Sequence, residues 1–415
     1  MNTESIIAQF IDQHHADQIE FLREIVRVPS DTPPGNNAPA SEKAAELLAK
    51  KGFNVERFVV PTDRVRDYGM QSITNLIVRQ KFGAADSHKG PTIALNAHGD
   101  VVPPGDGWSF DPYGGEIKDG RMYARGVAVS KSDIASFTYA IEALKAAEKA
   151  GAKLNGTVEL HLTYDEEFGG LLGPGYLLEQ KVTKPDYVIG ASFSYAIVTA
   201  HNGCLQFEVT VHGTATHGSM PETGHDALQA ANAILNAIYG KLPDLQKIKS
   251  KVAGIGSPTM IVGRIEGGTN TNVVPGKVIV KMDRRMIPEE DPATVEAEVR
   301  AIIQGAVAGR AGIRVEIKRL LLANALKPLP GNAKLVAALQ AHGERVFGEP
   351  IPAVGVPLYT DARLYGEAGI PVVLYGAGPR TVMESNAKRA DENLMLEDLR
   401  KATQVVACAV ADLLR

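Results

Sequence analysis

The chain has 415 residues, is 44% apolar and 22% charged, and carries a formal net charge of −4. That length exceeds what one hydrophobic core organises, so two domains are expected. Acidic and basic residues are mixed along the whole chain, which argues against a nucleic-acid groove or a polybasic membrane surface and favours small-molecule chemistry.

Cys204 and Cys408 are the only cysteines. They make neither a disulfide framework nor a Cys-x-x-Cys metal motif, and both are expected to be reduced and buried. The first residues lack a basic start, a long apolar run and a small-residue cleavage site, so no signal peptide is read there. No stretch reaches the length of a membrane span. The expected compartment is the cytoplasm, with no membrane or nucleic-acid partner.

In chain order, Ile6, Ile7, Phe10 and Ile11, then Phe21, Leu22, Ile25 and Val26, predict a helix pair. Pro29 to Asn37 is a Pro- and Gly-containing loop. Thr92 to Ala97 reads as a buried strand that delivers His98-Gly99-Asp100 at its C-terminal end. Ile134, Phe137, Ile141 and Leu144 predict an amphipathic helix capped by Ser130 or Ser132. Val158 to Thr163 alternates as a strand and delivers Asp165-Glu166-Glu167. Strands alternating with helices imply a mostly parallel sheet, whose ligands sit beyond the strands' carboxyl ends.

The middle of the chain changes character. Strands are expected over Leu205 to Val211, Met260 to Val262, Lys277 to Met282 and Ile313 to Ile317. Helices are expected around Ala227 to Ile238 and from Asp291-Pro292, a capping Asp followed by Pro at the first helical position. This order predicts an inserted α+β, ferredoxin-like domain. The expected boundaries are 1–202 and 320–415 for the first domain and 203–319 for the insert. A helix over Leu396 to Leu414 closes the chain.

An ordered set of blocks runs through these elements. It comprises His98-Gly99-Asp100, Trp108 to Pro112, Asp119-Gly120, Tyr123 to Gly126, Thr163 to Glu167, Gly213 to Pro221, Asn272, Pro275, Asp283-Arg284-Arg285, Thr360-Asp361-Ala362, Gly376-Ala377-Gly378 and Asn386 to Glu392. Together they resemble the di-zinc family of acetylornithine deacetylase, succinyl-diaminopimelate desuccinylase, carboxypeptidase G and aminoacylase. The resemblance implies an α/β zinc-peptidase-like catalytic domain with an inserted lid and dimerisation domain.

It also implies two zinc ions held by two His and three carboxylates, with a separate Glu as general base. His98 stands at the first His ligand, with Asp100 placed to orient its ring. Glu167 stands at a carboxylate ligand and Glu166 at the general base. The other three ligand positions fall on Val129, Ser192 and Lys388. Only His98 and Glu167 survive as metal-ligand positions. An ammonium at Lys388, paired with Glu167, would leave the site near neutral without metal, so no cofactor is expected although zinc is the family's.

In the insert, the resemblance implies that His217 is an oxyanion donor reaching the partner subunit's site, with Asn272 in the same role. Arg285 is implied as the clamp on a substrate carboxylate; an ion pair with Asp283 is the plainer reading. Ser192 and Gly378 are counted with the substrate-binding residues, and Lys388 with the catalytic ones. Ser192 could also be a nucleophile activated by Lys388, against the plainer reading of a small residue filling vacated space. The leading function is an enzyme acting on an N-substituted amino acid or related small carboxylate, by C–N hydrolysis or a related proton transfer. A ligand-binding pseudoenzyme and an ordinary di-zinc amidohydrolase are the alternatives. Self-association through the lid as a homodimer is expected.

Overall fold

The computed structural model describes residues 2–83 and 90–415. The chain divides into two compact units. The first comprises residues 1–199, 328–354 and 360–415, and the second 200–327 and 355–359. The short segment 355–359 belongs with the second unit because the backbone N–H of Gly355 donates to the Ala253 carbonyl at 2.7 Å.

The first unit is built on an eight-stranded sheet. Its order is Val55–Val59, Thr74–Phe82, Gly156–Thr163, Thr92–His98, Tyr187–Gly190, Val372–Leu374, Ile197–His201 and Ala353–Val356. The four central strands run parallel, and Val55–Val59 and Thr74–Phe82 are added antiparallel. Parallel strands are covered on both faces, so they read as continuous apolar runs. Thr92–His98 fits that rule, with every residue after the first buried.

Helices Thr3–Val26, Ser132–Lys149 and Leu396–Leu413 pack against one another over the sheet. The expected helix pair at the start is one continuous helix, Thr3–Val26. Ile7, Ile11, Gln18, Phe21, Leu22, Ile25 and Val26 form a single buried stripe along it. Gln18 hides the continuity in the sequence: it is polar, but its side-chain amide donates to the Thr403 hydroxyl at 2.7 Å and so can be buried. The expected serine cap is also absent. Lys131 holds the cap position of Ser132–Lys149 without a side-chain bond, while the Ser130 hydroxyl donates to the His98 carbonyl at 3.1 Å.

The second unit is a four-stranded antiparallel sheet in the order Thr259–Gly267, Lys277–Met286, Gly203–His212, Arg314–Ala323. With helices Ala227–Lys247 and Pro292–Val307 it follows the strand-helix-strand-strand-helix-strand order of a ferredoxin-like unit. Leu205, Phe207, Val209 and Val211 alternate into a core shared with Ile234, Ile238, Val299 and Ile303. Both helices are capped by aspartate: Asp226 accepts from the backbone of Leu228 and Gln229, and Asp291 from that of Thr294. No helix among the described residues is long and apolar enough to cross a membrane.

Candidate active site

Two parallel strands end side by side, and their continuations build the site. Gly99 follows Thr92–His98, and its N–H donates to the Thr163 carbonyl at 2.8 Å. A side chain there would meet the Tyr164 ring at 2.4 Å, so only glycine lets the two continuations lie this close. The next residue, Asp100, is fully buried. Its Oδ1 accepts the backbone N–H of Glu166 at 3.2 Å and its Oδ2 that of Glu167 at 3.0 Å. The same Oδ1 lies 3.3 Å from Nδ1 of His98, which also contacts the Asp100 carbonyl at 2.9 Å. Nε2 of His98 points toward Glu166, 3.9 Å from Oε2.

Lys388 arrives from a distant loop. Its Nζ donates to Oε2 of Glu167 at 2.6 Å, with about half of the lysine side chain exposed and the Glu167 side chain buried. Its backbone sits at φ 63°, in the left-handed region that costs a side-chain-bearing residue. Glu392 holds that turn: Oε2 accepts the Lys388 N–H at 3.3 Å, and Oε1 accepts the Ala128 N–H at 3.1 Å. Arg125 neutralises Glu392 at 2.5 Å, with both side chains about 1% exposed. Sequence blocks contain Arg125 and Glu392, but nothing local in either block announces this buried pair.

The structure therefore brings His98, Asp100, Glu166, Glu167 and Lys388 together. Ser192 and Gly378 meet through the backbone, Gly378 N–H to Ser192 carbonyl at 2.8 Å. Val129 lies in the irregular turn Val127–Lys131 that precedes the Ser132–Lys149 helix. His217, Asn272 and Arg285 lie in the second unit. There His217 pairs with Val273 across a two-strand ladder, next to Asn272. Arg285 donates from Nε to Oδ1 of Asp283 at 2.8 Å and lies 5.4 Å from the Tyr359 ring centroid. Asp361 was legible only as part of a block. It is buried, with Oδ2 unpartnered, and burial pushes its carboxyl up to about 6, against the pull of His98.

Over residues 94–412 the chain matches the family described as peptidase family M20/M25/M40. The chain belongs to that family. It is 28% identical over 394 residues to a succinyl-diaminopimelate desuccinylase of Methylobacterium nodulans, covering 92% of each chain. It is 24% identical over 420 residues to an uncharacterized metallohydrolase of Methanococcus maripaludis, covering 94% of this chain and 97% of the relative. Among solved structures, human carnosine dipeptidase 1 superposes with a TM-score of 0.78 at 19% identity, covering 100% of this chain and 99% of that one. An M20 family metallo-carboxypeptidase of Sulfolobus solfataricus superposes at 0.75 with 21% identity, covering 95% and 98%. These likenesses show the shared α/β fold.

Within the M20 fold, the donor set at the positions that the resemblance gives to zinc ligands is incomplete. The positions that the resemblance gives to three further ligands carry Val129, Ser192 and Lys388, none of which offers imidazole or carboxylate. Glu167 already faces an ammonium at 2.6 Å. Among the described residues, no three His, Cys, Asp or Glu side chains converge as a metal ion requires. The charged side chains of the site also act on one another. Burial opposes the charged forms of His98 and Lys388, but neighbouring carboxylates outweigh it and raise both pKa values. Burial also lifts the Glu166 carboxyl well above the usual carboxylate range, against the pull of His98.

Asp133 is a further buried carboxyl. One oxygen accepts the Ala377 N–H at 2.6 Å and the other is unpartnered. Gly376 has no room for a side chain, because a Cβ would sit 2.0 Å from Asp133 Oδ1. Burial pushes the Asp133 carboxyl from the ordinary 3.8 up to about 8. The folded chain thus holds a proton that the unfolded chain releases. The stability from that proton is complete below about pH 4 and is lost as pH rises through about 8. Urea midpoints measured from pH 4 to 9 should show the parent losing stability relative to Asp133→Asn, by about 1.4 kcal/mol per pH unit within that window. Parallel profiles for the two proteins would show that the carboxyl does not titrate in this way.

Proposed function

We propose that the chain is an amidohydrolase-type enzyme acting on an N-substituted amino acid or related small carboxylate, without the zinc pair of its family. The observation that carries this reading is the Lys388 ammonium on Glu167 at 2.6 Å, beside the buried Glu166. Glu166 is the proton carrier, since a carboxyl with a raised pKa both accepts and returns a proton near neutral pH. Lys388 supplies positive charge toward an oxygen that becomes negative in the reaction. The desuccinylase relative supports a substrate with an N-acyl group and a carboxylate. In hydrolysis, water bonds to the acyl carbon, its proton passes to Glu166 and then to the departing nitrogen. The same pair would serve a simpler proton transfer. Arg285 is assigned to the substrate carboxylate, with Ser192 and Gly378 lining the site.

A second reading, a ligand-binding protein without turnover, is favoured by one observation. Val129, Ser192 and Lys388 stand where the resemblance places three metal ligands, so most of the family's catalytic metal set is missing. The relatives named as metallohydrolases support the third, an ordinary di-zinc enzyme. Elemental analysis separates the di-zinc reading from the other two. The purified protein should hold far less than one zinc per chain, and chelators should leave its stability unchanged. The triple variant Val129→Asp, Ser192→Glu, Lys388→His should gain metal binding that the parent lacks. Two tightly held zinc ions per parent chain would make it an ordinary di-zinc hydrolase.

Glu166→Gln should lower kcat on a panel of N-acetyl and N-succinyl amino acids by at least about 100-fold. Turnover of any of them at the parent rate by this variant would remove Glu166 from the chemistry and favour the binding reading.

The second unit is assigned to self-association, with His217 serving a partner's site as an oxyanion donor. Sedimentation velocity at micromolar protein should show a dimer. Monomer alone would end the cross-subunit role.

A further inference from the structure

His217 opens a tight turn whose hydrogen bonds fix the state of its ring. The backbone N–H of Met220 returns to the His217 carbonyl at 2.9 Å, closing a β-turn over residues 217–220. On the other side, the Gly218 N–H donates to the Asn272 carbonyl at 2.7 Å and anchors the turn to the neighbouring strand. Within the turn, Nδ1 of His217 receives the Ser219 backbone N–H at 3.2 Å and lies 2.7 Å from the Ser219 hydroxyl. The ring acts here as an aspartate or asparagine side chain does in an Asx-turn, accepting from the peptide two residues on.

A peptide N–H can only donate, so Nδ1 must present its lone pair. A neutral imidazole carries one proton, which then resides on Nε2. The hydroxyl lies within donating distance of the same lone pair and strengthens the bias. We infer that Ser219 is a positioning residue that locks the exposed His217 ring as a neutral Nε2–H donor, directed at a negative or partly negative oxygen of a ligand. A ring held this way has no lone pair to offer at Nε2, so it serves as a hydrogen-bond donor and not as a base. Its use on a reacting oxyanion rests on the proposed amidohydrolase reading; the lock itself does not.

The test reads the ring directly and needs no substrate. Full-length protein is labelled with 15N-histidine, and long-range 15N–1H spectra are recorded at a pH where the ring is neutral. The chain has ten histidines, and the His217 signals are assigned by their loss in His217→Gln. The parent should show His217 only as the Nε2–H tautomer. Ser219→Pro, which removes both the donating N–H and the hydroxyl, should gain a several-fold larger Nδ1–H fraction, and Ser219→Thr, which keeps both, should show the parent pattern. A protonated Nδ1 in the parent, or a Ser219→Pro spectrum identical to the parent, would overturn the lock. An intact lock in a protein that hydrolyses no N-acyl amino acid would instead count against the amidohydrolase reading alone.

Discussion

The site depends on one buried carboxylate, Asp100. Its two oxygens satisfy the backbone N–H groups of Glu166 and Glu167 and adjoin the ring of His98. Hydrogen bonds to a charged group are each worth about 1.5–3 kcal/mol, and leaving such a carboxylate unpaired in the interior would cost more. Asp100 therefore cannot leave its partners cheaply, and neither strand continuation can move without the other. Glu166 and Glu167 inherit their positions from this arrangement. The glycine before Asp100 permits it, since a side chain there would collide with Tyr164.

A second constraint places the cation. Lys388 occupies a left-handed backbone conformation that an L-residue adopts reluctantly. Glu392 compensates by accepting its N–H, and Arg125 compensates Glu392. The chain of dependence runs from a fully buried ion pair, through a carboxylate, to a strained turn, and ends at an ammonium on Glu167. Replacing one partner of such a buried pair exposes the whole cost of the other charge, about 3–5 kcal/mol in comparable cases. The position of the lysine is thus set by the interior and not by its own exposed, screened contact with Glu167.

How far the sequence reveals this follows from the range of each interaction. Strand ends were legible because apolar runs stop abruptly at His98-Gly99-Asp100 and at Asp165-Glu166-Glu167, and parallel sheets carry their sites at such ends. The cap of the helix Pro292–Val307 was legible for the same local reason, at Asp291, whereas the Asp226 cap of Ala227–Lys247 is seen only in the structure. The first helix was divided wrongly because Gln18 interrupts the apolar stripe, and its burial depends on Thr403, 385 positions away. The Ser130 and Ser132 cap failed because Ser130 bonds the strand-end backbone of His98 instead. Arg125 with Glu392, 267 positions apart, and the buried Asp361 acquire meaning only once the fold places them.

The scaffold residues and Glu166 do not carry equal weight as evidence of chemistry. Asp100 ties two strand ends together and would be needed for that whether or not any reaction occurred. Glu392 and Arg125 hold a turn, and Gly99 and Gly376 make room. The Glu166 side chain has no comparable structural task. It is buried, yet its charged contact is His98 at 3.9 Å, too long for a hydrogen bond. Burying a carboxyl so weakly paired costs free energy, and its raised pKa is the sign of that cost. Glutamine or an apolar side chain would fill the same space with less strain on the fold. A costly carboxyl beside a fixed ammonium is what a proton-transfer site requires, and a site that only binds gains nothing from it.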